Sequence, residues 1–258
     1  MKIEGSSVLV TGGASGLGEA TSRMLAQRGG HVVIFDRDEE RGARIAAEIG
    51  GTAIVGDVVD TDDVRRAVDC ALATSPLRGL VNCAGVPRSI RTIGRDGEYE
   101  SAHRLDQFDR VLRVNLLGTF NCIRLAATAM SRGDPDEDGE RGAIVNTASS
   151  AAFDGQIGQA AYAASKGGVI SMTLPIARDL SVVGIRVNTI APGAFETPIM
   201  GPGDTAAGFH DRLDPHILFP KRFGRAEEFA RMTIELLTNG YVNGETVRLD
   251  AAMRMPAS

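Results

Sequence analysis

The strongest constraint on this chain is a regular alternation of short, continuously apolar runs with longer amphipathic segments. Strands are expected over residues 7–11 (SVLVT), 31–36 (HVVIFD), 52–56, 79–82, 143–148 (AIVNTA), 184–190 (GIRVNTI) and 245–249. Helical periodicity fills the intervals at 16–28, 38–49, 62–73, 107–130, 160–180 and 226–237. Strands that are apolar throughout, rather than at every second position, belong to a sheet covered on both faces. Right-handed crossovers then wind the chain into an α/β fold, a doubly wound parallel sheet of about seven strands with helices on both faces. No repeat or linker divides residues 1–258, which read as a single domain.

Bulk properties narrow the function. A net charge of −5 without any Lys/Arg run argues against a nucleic-acid partner. No apolar stretch is long enough to span a bilayer, and no secretory or transit signal precedes the first strand, so a cytoplasmic protein is expected. Cys70, Cys83 and Cys122 form no CxxC pair and point to reduced thiols. His31, His103, His210 and His216 show no ligand spacing, so no metal site is expected.

The chemistry begins at TGGASGLG, residues 11–18, a glycine-rich turn between the first strand and the first helix. The spacing is TGxxxGxG rather than GxGxxG. Gly12, Ser15, Gly16, Leu17 and Gly18 are candidate contacts for a dinucleotide pyrophosphate, which the helix N-terminus attracts through its unpaired N–H groups. Asp36 ends the second strand, where a carboxylate accepts from ribose hydroxyls and repels a 2′-phosphate, favouring NAD. Arg37 beside it leaves a phosphate-bearing cofactor open, and Asp36 could instead cap the next helix, a role Asp38 could serve equally well. Asp57 and Val58 follow the third strand, and Asn82, Cys83, Ala84 and Gly85 the fourth, at the sheet edge where such folds bind ligands. Cys83 reads as a small packed residue with no chemistry of its own.

Ser149, Tyr162 and Lys166 form the decisive set. Tyr162 and Lys166, four apart, share a helix face, and Ser149 leaves the fifth strand. A lysine ammonium together with a cationic nicotinamide ring should lower the tyrosine pKa, leaving Ser149 to hold a substrate oxygen against the phenol. No GxSxG elbow offers a competing serine chemistry.

With NCAG, RVNLLGTFN and YAASK added to the glycine turn and Ser149, the chain resembles the short-chain dehydrogenase/reductase family over essentially its whole length. The resemblance implies a Rossmann-type, NAD-dependent oxidoreductase interconverting a secondary alcohol and a ketone. It casts Tyr162 as acid/base, Lys166 as ribose ligand, Ser149 as substrate-polarising group and Asn115 as holder of a proton-relay water. It sets Pro192, Gly193, Phe195 and Thr197, from IAPGAFETP, against the nicotinamide, with Thr197 on its carboxamide or phosphate. TASSAAFDGQIGQAAYAASKGG, MTLPIARDL and NGETVRLDAAMRM are similar to the branch of that family acting on (S)-3-hydroxyacyl-CoA and hydroxysteroids. That implies an acyl-CoA thioester substrate, a place in fatty acid metabolism, a homotetramer and Gln156 as a substrate contact. The alternatives are a 3-oxoacyl-carrier-protein reductase using NADPH and a scaffold subunit that keeps the fold.

Residues 88–104 and 132–141 read as solvated loops. Residues 194–223 differ: Phe195, Ile199, Met200, Phe209, Leu213, Ile217, Leu218 and Phe219 make an apolar loop, with Gly201, Gly203 and Gly208 as hinges. Such a segment reads as a substrate lid, the alternative being that its apolar residues pack onto the core, and Lys221 and Arg222 read either as ligands of a CoA phosphate or as a solvated basic pair.

Overall fold

A computed structural model describes residues 1–198, 208 and 213–257. Seven strands, β1 (Ser7–Thr11), β2 (His31–Asp36), β3 (Thr52–Val55), β4 (Leu77–Asn82), β5 (Gly142–Thr147), β6 (Ile185–Pro192) and β7 (Thr246–Leu249), form one sheet in the order β3-β2-β1-β4-β5-β6-β7. Every pairing is parallel. The helices are α1 (Gly16–Gln27), α2 (Glu39–Ile49), α3 (Thr61–Thr74), α4 (Leu105–Leu112), α5 (Thr119–Met130), α6 (Ala160–Ser181) and α7 (Ala226–Thr238). The expected α/β doubly wound sheet is what the chain forms.

Alternate strand residues feed two cores, as the two-residue period of a strand requires. Leu9, Val33 and Leu80 pack with α3 and α5 through Val64, Ala67, Ile123 and Ala126. Val8, Val10, Val32 and Ile34 pack on the other face with Leu25, Ile45 and Phe229 of α1, α2 and α7. The strand order reverses between β1 and β4, and the carboxyl ends there open the crevice in which such sheets bind ligands.

Two expectations are corrected. The helix expected over 107–130 is interrupted, because Arg113–Gly118 is a π-helical turn between α4 and α5. The 132–141 segment is not simply solvated. Its Glu140 carboxylate lies 2.8 Å from the Arg186 guanidinium, the two side chains being 13% and 8% exposed. Of the expected lid, Phe195, Leu213 and Ile217 are buried in the body, while Leu218 and Phe219 are exposed. Lys221 donates one hydrogen bond to the Asp214 carbonyl, and Arg222 is held bidentately by Glu228. Ile199, Met200, Gly201, Gly203, Phe209 and His210 lie outside the described residues.

Candidate active site

A cleft of about 510 Å³ runs along the carboxyl ends of β1 to β6. At one end the turn after β1 enters α1. Gly12 has φ +65°, and a Cβ there would lie 2.7 Å from the Ala84 nitrogen, while a Cβ on Gly18 would strike the Gly12 carbonyl. These two glycines are therefore required by the chain's own close packing around the turn. Gly16, Leu17 and Gly18 line the cleft, and Ser15, the residue before α1, makes no side-chain cap. The first-turn N–H groups of a 12-residue helix thus remain available to an anion.

Asp36 lies in the same cleft. Its Oδ2 accepts from the Ala14 N–H at 3.0 Å, and its Oδ1 accepts from the Arg37 and Asp38 N–H groups. The helix cap is supplied by Asp38, which accepts from the Arg41 N–H, so Asp36 is spared for the cleft. Arg37 leans toward Asp57, 3.9 Å away, and both line the cleft with Val58.

The other end holds Ser149, Tyr162 and Lys166, the set expected to carry acid–base chemistry. Ser149 stands in extended backbone before a short helical turn, and its Oγ accepts from the Ala151 N–H at 3.1 Å. Tyr162 and Lys166 come from the first turns of α6, and all three residues line the cleft. Lys166 is buried, donates from Nζ to the Thr147 carbonyl at 2.7 Å, and lies 5.9 Å from the Tyr162 ring centroid. Burial pushes its pKa down to about 8, with Cys83 opposing. Burial also raises the Tyr162 pKa, opposed by a hydrogen bond with Ser149. In the protein without a dinucleotide, burial outweighs the Ser149 hydrogen bond and favours the neutral phenol. Cys83 lines the cleft as a thiol raised to about 11 by burial, which suits a packing residue.

Ala84, Gly85, Pro192, Gly193, Phe195 and Thr197 also line the cleft. Asn82, Asn115 and Gln156 do not. Asn82 is buried, donates to the Asn146 side chain at 2.9 Å and accepts from the Thr11 hydroxyl, tying three strand ends together. Asn115 sits in the π-helical turn. Its Oδ1 accepts from the Val86 N–H, and its Nδ2 donates to the Val86 carbonyl and to Ser165 Oγ. The amide therefore fixes the segment after β4 against α6. Gln159, three residues beyond Gln156, takes the lining position and accepts from the Gln156 N–H. Sequence reasoning also missed Val86, Ser89 and Met255. Val86 directly follows the NCAG motif, and Gln159 repeats the residue type chosen. Nothing in the local sequence marks Met255.

An uncapped helix terminus, a carboxylate at the end of β2 and a buried ammonium beside a phenol and a hydroxyl define a dinucleotide-dependent oxidoreductase cleft. The short chain dehydrogenase family model matches residues 6–206. The chain belongs to the short-chain dehydrogenase family. It is 46% identical to 3-hydroxyacyl-CoA dehydrogenase type-2 of Drosophila melanogaster over 250 residues, covering 96% of each chain. With the Homo sapiens protein of the same name the identity is 44% over 260 residues, covering 98% of this chain and 97% of that one. The crystal structure of 3-hydroxyacyl-CoA dehydrogenase type-2 from Mycobacterium avium superimposes with a TM-score of 0.91 at 45% identity, covering 98% of both chains.

Proposed function

We propose that this enzyme interconverts (S)-3-hydroxyacyl-CoA and 3-oxoacyl-CoA with NAD, and tolerates hydroxysteroids. One observation carries the reading: the Ser149 hydroxyl, the Tyr162 phenol and the Lys166 ammonium meet in the cleft that ends at Asp36. The residues suit a dinucleotide. The open N-terminus of α1 fits a pyrophosphate and Asp36 fits ribose hydroxyls. Lys166 has no carboxylate partner among the described residues, which leaves its remaining donors for the second ribose. Bound NAD supplies the acceptor for the hydrogen leaving the alcohol carbon. Ser149 donates to the substrate oxygen and fixes it beside Tyr162. Tyr162 exchanges the hydroxyl proton. Asp36 disfavours a 2′-phosphate, which supports NAD over NADP.

Assembly belongs to the same proposal. Leu117 and Phe120 on α5 and its preceding turn, and Leu174 on α6, are 51%, 46% and 44% exposed, which supports burial of these helices in a homotetramer. No helix among the described residues is long and apolar enough to cross a membrane, and the three cysteines are free thiols, both consistent with a cytoplasmic enzyme.

The test is an NAD-coupled assay comparing 3-hydroxyacyl-CoA esters with free hydroxy acids, hydroxysteroids and simple secondary alcohols, repeated with NADP. The expected result is a higher kcat/KM on the CoA esters with NAD. Preference for NADP and an acyl-carrier-protein thioester overturns it. Light scattering at micromolar concentration should give a tetramer mass, and a monomer mass rejects the assembly.

A further inference from the structure

One wall of the cleft comes from the segment that follows β7. Met255 lines the cleft together with Ser149 and Gln159. Main-chain bonds stitch this wall from three segments far apart in sequence. The Ile90 N–H donates to the Gly158 carbonyl at 2.8 Å, and the Ile157 N–H donates to the Ala257 carbonyl at 2.8 Å.

A single guanidinium holds the wall. Arg248 Nη2 donates to Asp154 Oδ2 at 2.7 Å and to the Met253 carbonyl at 3.2 Å, and Nε donates to Asp250 Oδ2 at 2.6 Å. The guanidinium also lies 4.8 Å from the Phe153 ring centroid. The three side chains of this ion network are 22%, 20% and 7% exposed, so it is sheltered from solvent. Phe153 and Asp154 follow the turn that starts at Ser149, whereas Asp250 and Met253 belong to the terminal segment. Arg248 therefore couples the loop bearing the substrate-polarising serine to the segment bearing Met255. The turn between them is strained. Ala251 and Ala252 have φ of 51° and 58°, a region costing an L-residue on the order of 1 kcal/mol each. Such a conformation persists only where surrounding contacts enforce it. The Arg248 network and the burial of Met253 supply those contacts.

We propose that Met255 is a specificity-determining residue that limits the size of the substrate's organic group, and that Arg248 is the positioning residue that sets it. The acyl-chain form of this inference rests on the 3-hydroxyacyl thioester reading.

The experiment measures kcat and KM of the full-length enzyme on 3-hydroxyacyl-CoA esters of four to ten carbons and on 2-alkanols of the same lengths, with NAD affinity from calorimetry. Met255→Ala should raise the long-to-short ratio of kcat/KM about fivefold, one to two methylenes' worth of burial, and Met255→Phe should lower it similarly. Both should bind NAD as the wild type does. Arg248→Ala should raise KM on the long substrates about tenfold with a smaller change in kcat, and Arg248→Lys should recover part of that loss. A length profile for Met255→Ala parallel to the wild type, in both series, overturns the proposal. So does a loss in Arg248→Ala that falls on kcat alike for every substrate with KM unchanged. If the wild type turns over 2-alkanols but no CoA ester, the substrate reading fails, and the alkanol series still decides the role of Met255.

Discussion

Lys166 places its ammonium nitrogen 2.7 Å from the main-chain carbonyl oxygen of Thr147, and that carbonyl is all the protein gives it by way of a hydrogen-bond acceptor among the described residues. A buried cation held by one neutral acceptor is costly, and its pKa falls from 10.5 to about 8. The protonated form is therefore penalised in the folded state. The penalty is complete below pH 8, fades as pH rises toward 10.5, and is absent above that. Its size is about 3 kcal/mol, less about 1–2 kcal/mol for the carbonyl orphaned if the lysine is removed. Lys166→Met should accordingly raise the Tm of the cofactor-free protein by a few degrees at pH 7, with the gain shrinking toward pH 10, while abolishing activity. A Tm lowered equally at both pH values contradicts this.

Tyr162→Phe keeps the ring and removes the exchanging proton. Activity should fall on the order of 10²-fold or more, with NAD affinity within a few-fold of wild type by calorimetry. The difference in tyrosinate absorbance between wild type and this variant isolates the one phenol. Without NAD its midpoint should lie above the ordinary value, because burial raises it. NAD should bring the midpoint down. Near-normal turnover by folded Tyr162→Phe protein rejects the assignment.

Asp36 accepts from Ala14, Arg37 and Asp38 main-chain groups, which orient the carboxylate before any ligand arrives. Asp36→Ala should weaken NAD binding about tenfold, the loss of a charge-assisted hydrogen bond, and narrow the NAD to NADP ratio further by removing the repulsion. Calorimetry with both dinucleotides checks it. A wild type that binds them equally shows that Asp36 does not select.

Most of this fold was legible because its signals are local. β1 (SVLVT) and β2 (HVVIFD) are marked by runs apolar enough for a two-faced sheet, and their observed bounds match the expected ones. The Ser149, Tyr162 and Lys166 set was legible for a related reason, since two of its members lie one helical turn apart. The π-helical turn at Arg113–Gly118 was not legible, because no proline falls between 105 and 130 to mark a break. Asn82 and Asn115 follow motif and resemblance to the cleft edge, but motif position does not say which way an amide turns, and both bond inward. The segment carrying Met255 is tied to residues about 100 positions earlier, Arg248 to Asp154 and Ala257 to Ile157, which no local pattern encodes. The desolvation that sets the Tyr162 and Lys166 pKa directions is likewise a property of the packed interior.

Glu140 and Arg186 show the same limit and give the last prediction. Arg186 extends from β6 and donates to Glu140 Oε1 at 2.9 Å and to the carbonyls of Leu236, Leu237 and Val242 at 2.7 to 2.9 Å. Those carbonyls belong to the end of α7 and the loop toward β7, where helix carbonyls lack partners of their own. One buried guanidinium thus closes a helix end and anchors a loop that the sequence presents as polar surface. Removing it takes one of two cationic partners from Glu140, which keeps the Met1 ammonium, and takes the guanidinium from the Leu236 carbonyl, while the Leu237 and Val242 carbonyls keep Met1 and the Asn188 amide. Arg186→Met should cost about 1–3 kcal/mol and lower the Tm by several degrees, with the kcat of the folded fraction unchanged, since Arg186 lies at the amino end of β6 and the cleft at its carboxyl end. Adding Glu140→Leu should deepen the loss, because it also strips the buried Met1 ammonium of the carboxylate 2.7 Å away, and Glu140→Leu alone should destabilise for the same reason. Thermal melts of the two single variants and the double variant decide it: a Tm within two degrees of wild type for Arg186→Met refutes the anchoring role.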